Sequence, residues 1–237
     1  MLRWPSRSGV VFVGLIVAAT TVACASKRFG PLPSCAPDAT TADSRLEIFS
    51  RPFEGEHPRA NVFDHDLPML SEDHNGYLLT MCGSRIGGLD GHNGYDWMMP
   101  VGTPLLAVAD GRVLRAWQEP PLFCPSLHRQ ANGARVVVIE IRPNATDVVR
   151  AMYGHLDRID VKEGDAVRAG EIVGTSGNTG CSTAPHLHFN AARVLDGREI
   201  LVDPYGWHSS APDPWAADSR GAKSLWLWKP SAAPRLF

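Results

Sequence analysis

The pattern of short apolar runs between residues 82 and 205 restricts the fold more than any other feature of this chain. The runs are rich in Val and Ile or alternate apolar with polar residues, and Gly or Pro interrupts them at short intervals. With 22 Gly and 19 Pro in 237 residues, turns and short strands are favoured over long helices. No stretch of this region shows the helical period of about 3.6 residues. The sequence therefore predicts an all-β domain with mainly antiparallel strands.

Turn signals place several strands within this domain. Residues 135–142 and 148–153 form two apolar-rich runs that are separated by a turn. The pair Asp110-Gly111 lies between residues 103–109 and 112–117, which predicts that a two-residue turn joins two strands in a hairpin. A longer loop follows the second of these strands, and long loops in compact domains commonly line or cover sites.

The segment Pro185-His186-Leu187-His188-Phe189 carries two histidines two positions apart in an apolar run. Side chains alternate between the faces of a β-strand, so both imidazoles would stand on one face while the apolar residues pack behind them. Two neighbouring imidazoles suit metal binding, proton transfer or both. For this segment taken alone, a pair of surface histidines is an equal alternative.

Two further segments carry residues of the same chemistry. His92 and Asp96 are four positions apart, and Gly94 between them argues against a helix. A bent strand or loop could still direct both side chains to one ion. His155 follows the apolar run of residues 148–153. Each of these signals is weak by itself, and their combination and order carry the interpretation.

In this order, the segments resemble the lysostaphin-type zinc endopeptidases, also called LytM-type peptidoglycan hydrolases. The resemblance covers roughly residues 85–204. It rests on the histidine segments together with these motifs: Gly102-Thr103-Pro104, Ala109-Asp110-Gly111, Tyr153-Gly154-His155-Leu156, Gly174-Thr175-Ser176-Gly177-Asn178-Thr179-Gly180 and Ser182-Thr183-Ala184-Pro185. It implies an open β-sheet or split barrel with a duplicated hybrid motif, in which long loops frame a zinc cleft.

The resemblance also implies the site. His92, Asp96 and His188 would bind Zn²⁺, and His155 and His186 would be catalytic. Two imidazoles and one carboxylate are typical of catalytic zinc with a fourth position open to water. An amide-hydrolysing site also needs a proton acceptor and a group that stabilises the oxyanion. The sequence does not divide these tasks between the two catalytic histidines.

The expected function is zinc-dependent hydrolysis of peptide cross-links in bacterial peptidoglycan, with peptide stems or cross-bridges as the substrate. A non-catalytic wall-binding or amidase-activating protein of the same fold is the alternative, but such relatives have lost ligands that this chain keeps. A lipoyl or biotinyl carrier, which residues 161–174 also resemble, would need a lysine at a hairpin tip, and Lys162 is at the start of that stretch. The formal charge of -2 gives no polybasic surface, so no nucleic-acid partner is expected.

Residues 1–25 read as an export signal, with a basic start and an apolar stretch that is too short to span a bilayer comfortably. Cys24 is either the acylated first residue of a lipoprotein or part of a cleavage site before Ser26, and a retained signal anchor is the third interpretation. We therefore expect an exported bacterial protein: a periplasmic or outer-membrane-anchored lipoprotein attached to the membrane through Cys24, or otherwise a secreted protein. The oligomeric state is left open.

Four cysteines remain after the export signal: Cys35, Cys82, Cys124 and Cys181. In an exported protein they predict two disulfides with three connectivities, although some could be free and buried. Among these connectivities we expect Cys124–Cys181, which would hold the long loop beside the implied cleft, together with Cys35–Cys82.

The segments outside the predicted domain of residues 85–205 carry weaker signals. Residues 26–60 are predicted to be a tether followed by irregular structure, and residues 61–84 an extension that packs on the core. Within that extension, Phe63-Asp64-His65-Asp66 has the composition of a metal site, but a solvated loop is the favoured interpretation. Residues 206–237 form a Trp-rich tail, which we expect to pack back on the domain.

Overall fold

The computed structural model describes residues 35, 37–39, 42, 44–66, 76–124 and 127–236. The predicted export signal and the lipidation site at Cys24 lie outside these residues. The regular secondary structure of the described part is almost entirely β, with one four-residue helix, α1 (Pro214–Ala217), so the predicted all-β, mainly antiparallel fold is confirmed. None of its helices has the length and apolar character needed to cross a membrane. The strands are β1 (Arg45–Phe49), β2 (Arg59–Asn61), β3 (Tyr77–Leu79), β4 (Arg85–Gly87), β5 (Tyr95–Met98), β6 (Pro104–Leu106), β7 (Gly111–Gln118), β8 (Leu122–Cys124), β9 (Arg129–Ala131), β10 (Arg135–Ile141), β11 (Val149–Gly154), β12 (Arg158–Ile159), β13 (Ala166–Val167), β14 (Ile172–Thr175), β15 (His186–Leu195), β16 (Arg198–Val202) and β17 (Trp226–Trp228).

The largest sheet has eight strands, which pair in the order β13-β7-β10-β11-β15-β5-β2, and β16 also pairs with β15. The ten-residue strand β15 pairs with three others: its first part with β5, its middle with β11 and its last part with β16. Strands β10 and β11 pair antiparallel, as their sequence predicts. A separate three-stranded sheet has the order β12-β14-β6.

The predicted hairpin at Asp110-Gly111 is wrong. Strand β6 pairs with β14 in the small sheet, whereas β7 pairs with β10 and β13 in the large one. A type I′ turn needs positive φ at both central residues, and neither of these two has it. Glycine is required at position 111 for another reason, since a Cβ there would be 2.6 Å from the Glu140 carbonyl oxygen on β10.

The segments outside the predicted domain are part of the core. Strand β1 pairs in parallel with β17, and Phe49, Phe189 and Trp228 form one cluster of edge-to-face and tilted rings. The prediction of irregular structure up to residue 60 is therefore wrong for β1. The strand is short and its partner lies in the distant tail, so the alternation of apolar and polar residues gives no clear local signal. The expected packing of the tail is confirmed: its tryptophans are all at most 5% exposed, at positions Trp207, Trp215, Trp226 and Trp228.

Both expected disulfides are present, Cys35–Cys82 and Cys124–Cys181, with Cα atoms 5.8 and 5.4 Å apart. The predicted long loop between β7 and β10 contains a small hairpin, because β8 and β9 pair antiparallel within it. Cys124 is the last residue of β8. Its disulfide therefore joins this hairpin to the loop that precedes β15.

Candidate metal centre

Three neighbouring strands of the large sheet bring the site together. His188 on β15 lies opposite Asp96 on β5 and opposite Gly154, the last residue of β11. His155 directly follows Gly154, so its ring enters the same region from the β11 side. These pairings join residues that are far apart in sequence, and the five predicted site residues form one cluster.

The alternation predicted for β15 is observed. Leu187 and Phe189 are 0% exposed and belong to the core, whereas His186 and His188 stand on the opposite face and are each 9% exposed. Gly94, between the other two predicted ligands, allows their loop to approach β15 closely. A Cβ at this position would be 2.4 Å from the Phe189 carbonyl oxygen.

The ligand atoms of His92, Asp96 and His188 lie within 4.8 Å of one another. His92 Nε2 is 3.1 Å from Asp96 Oδ2, and His188 Nδ1 is 2.9 Å from Asp96 Oδ1. In a tetrahedral site with metal–ligand bonds of about 2.0–2.1 Å, neighbouring ligand atoms are about 3.3 Å apart. The three side chains therefore fit a zinc ion after small adjustments.

The charge states of Asp96 and His188 suit a metal, whereas at His92 a cation would have to replace a proton. Burial would raise the pKa of Asp96, but the neighbouring His92 and His188 rings outweigh it and hold that pKa well below its usual value. Burial lowers the pKa of His188, which favours the neutral ring. For His92, burial acts in the same direction, but the Asp96 carboxylate outweighs it and raises the pKa. An ionised carboxylate and deprotonated imidazole nitrogens are the forms that bind zinc.

Backbone carbonyl oxygens face the Nδ1 atoms of three histidines of the cluster and orient their rings. His92 Nδ1 is 2.9 Å from the Val62 carbonyl oxygen, His155 Nδ1 is 2.6 Å from that of Thr179, and His186 Nδ1 is 2.8 Å from that of Ala184. A carbonyl oxygen only accepts, so each of these Nδ1 atoms carries the proton and donates. In each neutral ring, Nε2 is then the atom that can bind a metal or accept a proton.

His155 and His186 form a second pair beside the three candidate ligands. Their ring centroids are 4.6 Å apart, and His155 is 5.9 Å from His188. Burial lowers the pKa of His155 to about 4, and the charges of His186 and His188 act in the same direction. His155 has a φ of 63°, a left-handed conformation that costs a non-glycine residue about 1–2 kcal/mol. Such strain is commonly found at functional sites.

The predicted solvated loop at Phe63-Asp64-His65-Asp66 is wrong, since the first three of these residues are 0% exposed. His65 Nε2 is 3.0 Å from Asp203 Oδ2, and its Nδ1 is 2.8 Å from Asp213 Oδ1. Burial by itself would lower the pKa of His65, but the hydrogen bonds and charges of the two carboxylates outweigh it and raise the pKa to about 9. The acidic partners are distant in sequence, so no local pattern indicated this burial.

Sequence reasoning also missed contacts that support the site from outside: one to a candidate ligand, one to the loop of His92 and one to His186. Asn61 Nδ2 donates to Asp96 Oδ2 at 2.8 Å, and the Asp64 carboxylate accepts from Gly91 N at 2.9 Å. Ser182 Oγ is 3.2 Å from His186 Nδ1. The composition of residues 63–66 was the local signal near Asp64, and it indicated metal binding rather than support of ligands.

Comparison with known proteins gives a family match and several relatives. Residues 90–204 match the model of Peptidase family M23. The chain is 37% identical over 162 residues to the glycyl-glycine endopeptidase ALE-1 of Staphylococcus capitis, a match that covers 68% of this chain and 40% of that protein.

Two other relatives have a similar sequence identity over shorter stretches. Lysostaphin of Staphylococcus simulans is 37% identical over 156 residues, covering 65% of this chain and 28% of that protein. The peptidoglycan DD-endopeptidase ShyC of Vibrio cholerae is 39% identical over 103 residues, covering 44% and 20% respectively. The chain thus spans less than half the length of these curated relatives.

Proposed function

Because residues 90–204 form a domain of Peptidase family M23, we propose that the chain is a zinc-dependent endopeptidase that hydrolyses peptide cross-links of bacterial peptidoglycan. The observation that carries the proposal is the cluster of a three-residue ligand set and a second imidazole pair on one face of β15. The names of the relatives support the substrate class, since ALE-1 is a glycyl-glycine endopeptidase and ShyC a peptidoglycan DD-endopeptidase.

His92, Asp96 and His188 are the proposed zinc ligands, through the atoms that approach one another most closely. When bound there, zinc supplies Lewis-acid polarisation of a carbonyl oxygen and lowers the pKa of a coordinated water to about 7. The ligand set has one negative charge and is held by two strands and a glycine-containing loop. Three protein ligands leave room for a fourth, exchangeable one.

His155 and His186 are the proposed catalytic residues. Both rings donate their Nδ1 protons to backbone carbonyls, which leaves their Nε2 atoms to exchange protons with the substrate or with the attacking water. One ring would accept the proton of the nucleophile, and a protonated ring would donate to the departing amine or to the oxyanion. The division of these steps between the two rings is open.

The proposed substrate lies outside the cytoplasm, which agrees with the export signal expected in residues 1–25. We extend the proposal to an exported location, with acylation of Cys24 as the means of membrane attachment. Intact-mass analysis of protein from bacterial membranes tests this point, because acylation adds lipid mass to a chain that starts at Cys24.

The test of the proposed function is digestion of purified peptidoglycan by the zinc-loaded protein, with mass spectrometry of the released muropeptides. We expect fragments cut at peptide bonds of stems or cross-bridges. His92→Ala or Asp96→Ala should lose bound zinc, whereas His155→Ala should keep zinc and lose turnover.

The matched control for these histidine changes is His57→Ala, at a partly exposed position outside the site, which should keep both zinc and turnover. A wild-type protein that binds zinc but releases no fragments would favour the non-catalytic alternative. A wild-type protein without stoichiometric zinc would overturn the proposed site.

A further inference from the structure

The segment that runs from β2 to Asp66 lies before the residues that match the peptidase family, yet it contacts two of the candidate zinc ligands. We propose that Asn61 in this segment is a positioning residue: its amide fixes the Asp96 carboxylate for metal binding. This inference rests on the proposed metal centre. It assigns a role to a part of the chain for which the family match, at residues 90–204, provides none.

A bulge in β2 brings Asn61 to the metal centre. Strand β2 pairs antiparallel with β5, Arg59 opposite Trp97 and Asn61 opposite Asp96, with a shift in register between them. Two steps along β2 thus correspond to one step along β5, and Ala60 is the extra residue. With regular pairing Ala60 would lie opposite Asp96, so the bulge exchanges an alanine for an amide at this position. Bulges commonly redirect side chains in this way beside active sites.

The Asn61 amide occupies one side of the Asp96 carboxylate. Asn61 Nδ2 donates to Oδ2 at 2.8 Å, whereas Oδ1 is 2.9 Å from His188 Nδ1. Oδ2 also lies 3.1 Å from His92 Nε2, so the amide contacts the carboxylate beside the proposed metal position. Ligating carboxylates are usually hydrogen-bonded to such a donor, which sets their orientation. An amide is suited to this task because it is neutral. A lysine or arginine in its place would neutralise the charge that attracts the cation.

The residues after Asn61 hold the second ligand. The Val62 carbonyl oxygen accepts from His92 Nδ1 at 2.9 Å, which leaves Nε2 for the metal. The Asp64 backbone N–H donates to the His92 carbonyl oxygen at 2.8 Å. The Asp64 carboxylate accepts from the backbone of Gly91 and Leu79 at 2.9 and 2.8 Å. Side chain and backbone of one short segment therefore fix both Asp96 and the loop that carries His92.

His65 anchors this segment at its far end. Its buried ring is held between Asp203, which follows β16, and Asp213, the N-cap of α1. Asp203 also accepts from the Tyr95 hydroxyl, one residue before Asp96. The segment is thus held on both sides of Asn61, by the pairing of Arg59 with Trp97 before it and by the His65 contacts after it.

The experiment compares wild type with Asn61→Leu, which keeps the approximate volume of the side chain but removes the donor. Zinc dissociation constants are measured by competition with a chromophoric chelator, and the visible absorption of the Co²⁺-substituted protein reports ligand geometry. We expect the zinc dissociation constant of the variant to rise about 10–100-fold, the range found when such outer contacts are lost. The cobalt spectrum should change in position and intensity, and the metal-free proteins should unfold at similar temperatures.

Asn61→Ala is the second variant, since Asn61 is only partly exposed and its truncation relieves any clash that the leucine introduces. If the leucine variant does not fold, the alanine variant decides the question by the same two readouts. Asn144→Ala, in an exposed turn far along the chain, is the matched control and should behave as wild type.

The outcomes separate this inference from the proposed function. If wild type binds neither zinc nor cobalt, the proposed metal centre itself fails. If wild type binds zinc and a folded Asn61 variant binds it within a factor of two with an unchanged cobalt spectrum, the positioning role is wrong. Weaker zinc binding with an unchanged cobalt spectrum would also overturn it, because that result indicates a general structural role.

Discussion

His65 makes the stability of this protein depend on pH in a way that can be predicted from its surroundings. Both ring nitrogens face carboxylates. An ionised carboxylate can accept hydrogen bonds but cannot donate them, so both nitrogens carry a proton in the folded state. The titratable groups that face it are Asp203 and Asp213, with Tyr95 bound to Asp203 from the other side. The rings of Phe63 and Trp207 pack against it at centroid distances of 5.1 and 4.8 Å.

The direction and size of the effect follow from the two pKa values. Burial opposes the charge, but the carboxylates raise the pKa of His65 from 6.5 to about 9 in the folded protein. Below about pH 6.5 both the folded and the unfolded chain hold the proton, so the full stabilisation is present. As pH rises to about 9, the unfolded chain loses the proton first and stability falls, by about 3 kcal/mol in total at 1.36 kcal/mol per pKa unit.

The assay is denaturant-induced unfolding between pH 6 and pH 9.5, with a chelator present so that metal affinity does not contribute. His65→Gln should be less stable than wild type at pH 6 and should lack the part of the decline that His65 contributes, whereas the raised pKa of His92 leaves a decline in both proteins. The matched control, His57→Gln, should retain the wild-type decline because that residue lies outside the buried cluster. Equal declines in wild type and His65→Gln would refute the assignment of the proton to His65.

Two further predictions concern how the site and the core are held together. Replacing both Cys124 and Cys181 by serine should lower the free energy of unfolding by about 2–4 kcal/mol and reduce turnover while zinc remains bound. The reason is that Cys181 lies between Thr179 and Ser182, which contact the rings of the proposed catalytic residues. Unchanged turnover in a measurement with zinc-loaded protein would contradict this. Trp228→Ala should cost about 3–5 kcal/mol in chemical denaturation, since the indole is 0% exposed against Phe49 and Phe189; a loss below about 1 kcal/mol would show that the tail is not part of the core.

Part of the candidate site could be predicted from local signals, and the family resemblance of the combined motifs implied its ligands. In a β-strand, side chains alternate between the two faces, so His186 and His188 lie on one face of β15 regardless of tertiary context. The loop from His92 to Asp96 needs Gly94 for its approach to β15, and that glycine is visible in the sequence. The same holds for β10 and β11, whose apolar alternation and intervening turn predict an antiparallel pair that the structure contains.

The failed predictions all involve contacts between distant residues. His65 looks like part of a polar loop, but its two partners are 138 and 148 positions away. Asp110-Gly111 has the composition of a hairpin turn, but its glycine serves a close approach to β10 instead.

The sequence by itself determined the strand-rich architecture and the two imidazoles on one face of β15, because alternation acts over a few residues. The candidate ligand set followed from the family resemblance of the combined motifs. Only the tertiary structure decided that β1 and the tail complete the core, and that Asn61, Val62 and Asp64 contact the candidate ligands. The physical reason is that burial and hydrogen-bond partners at these positions depend on tertiary contacts between distant segments. Side-chain periodicity is a local property and does not predict those contacts.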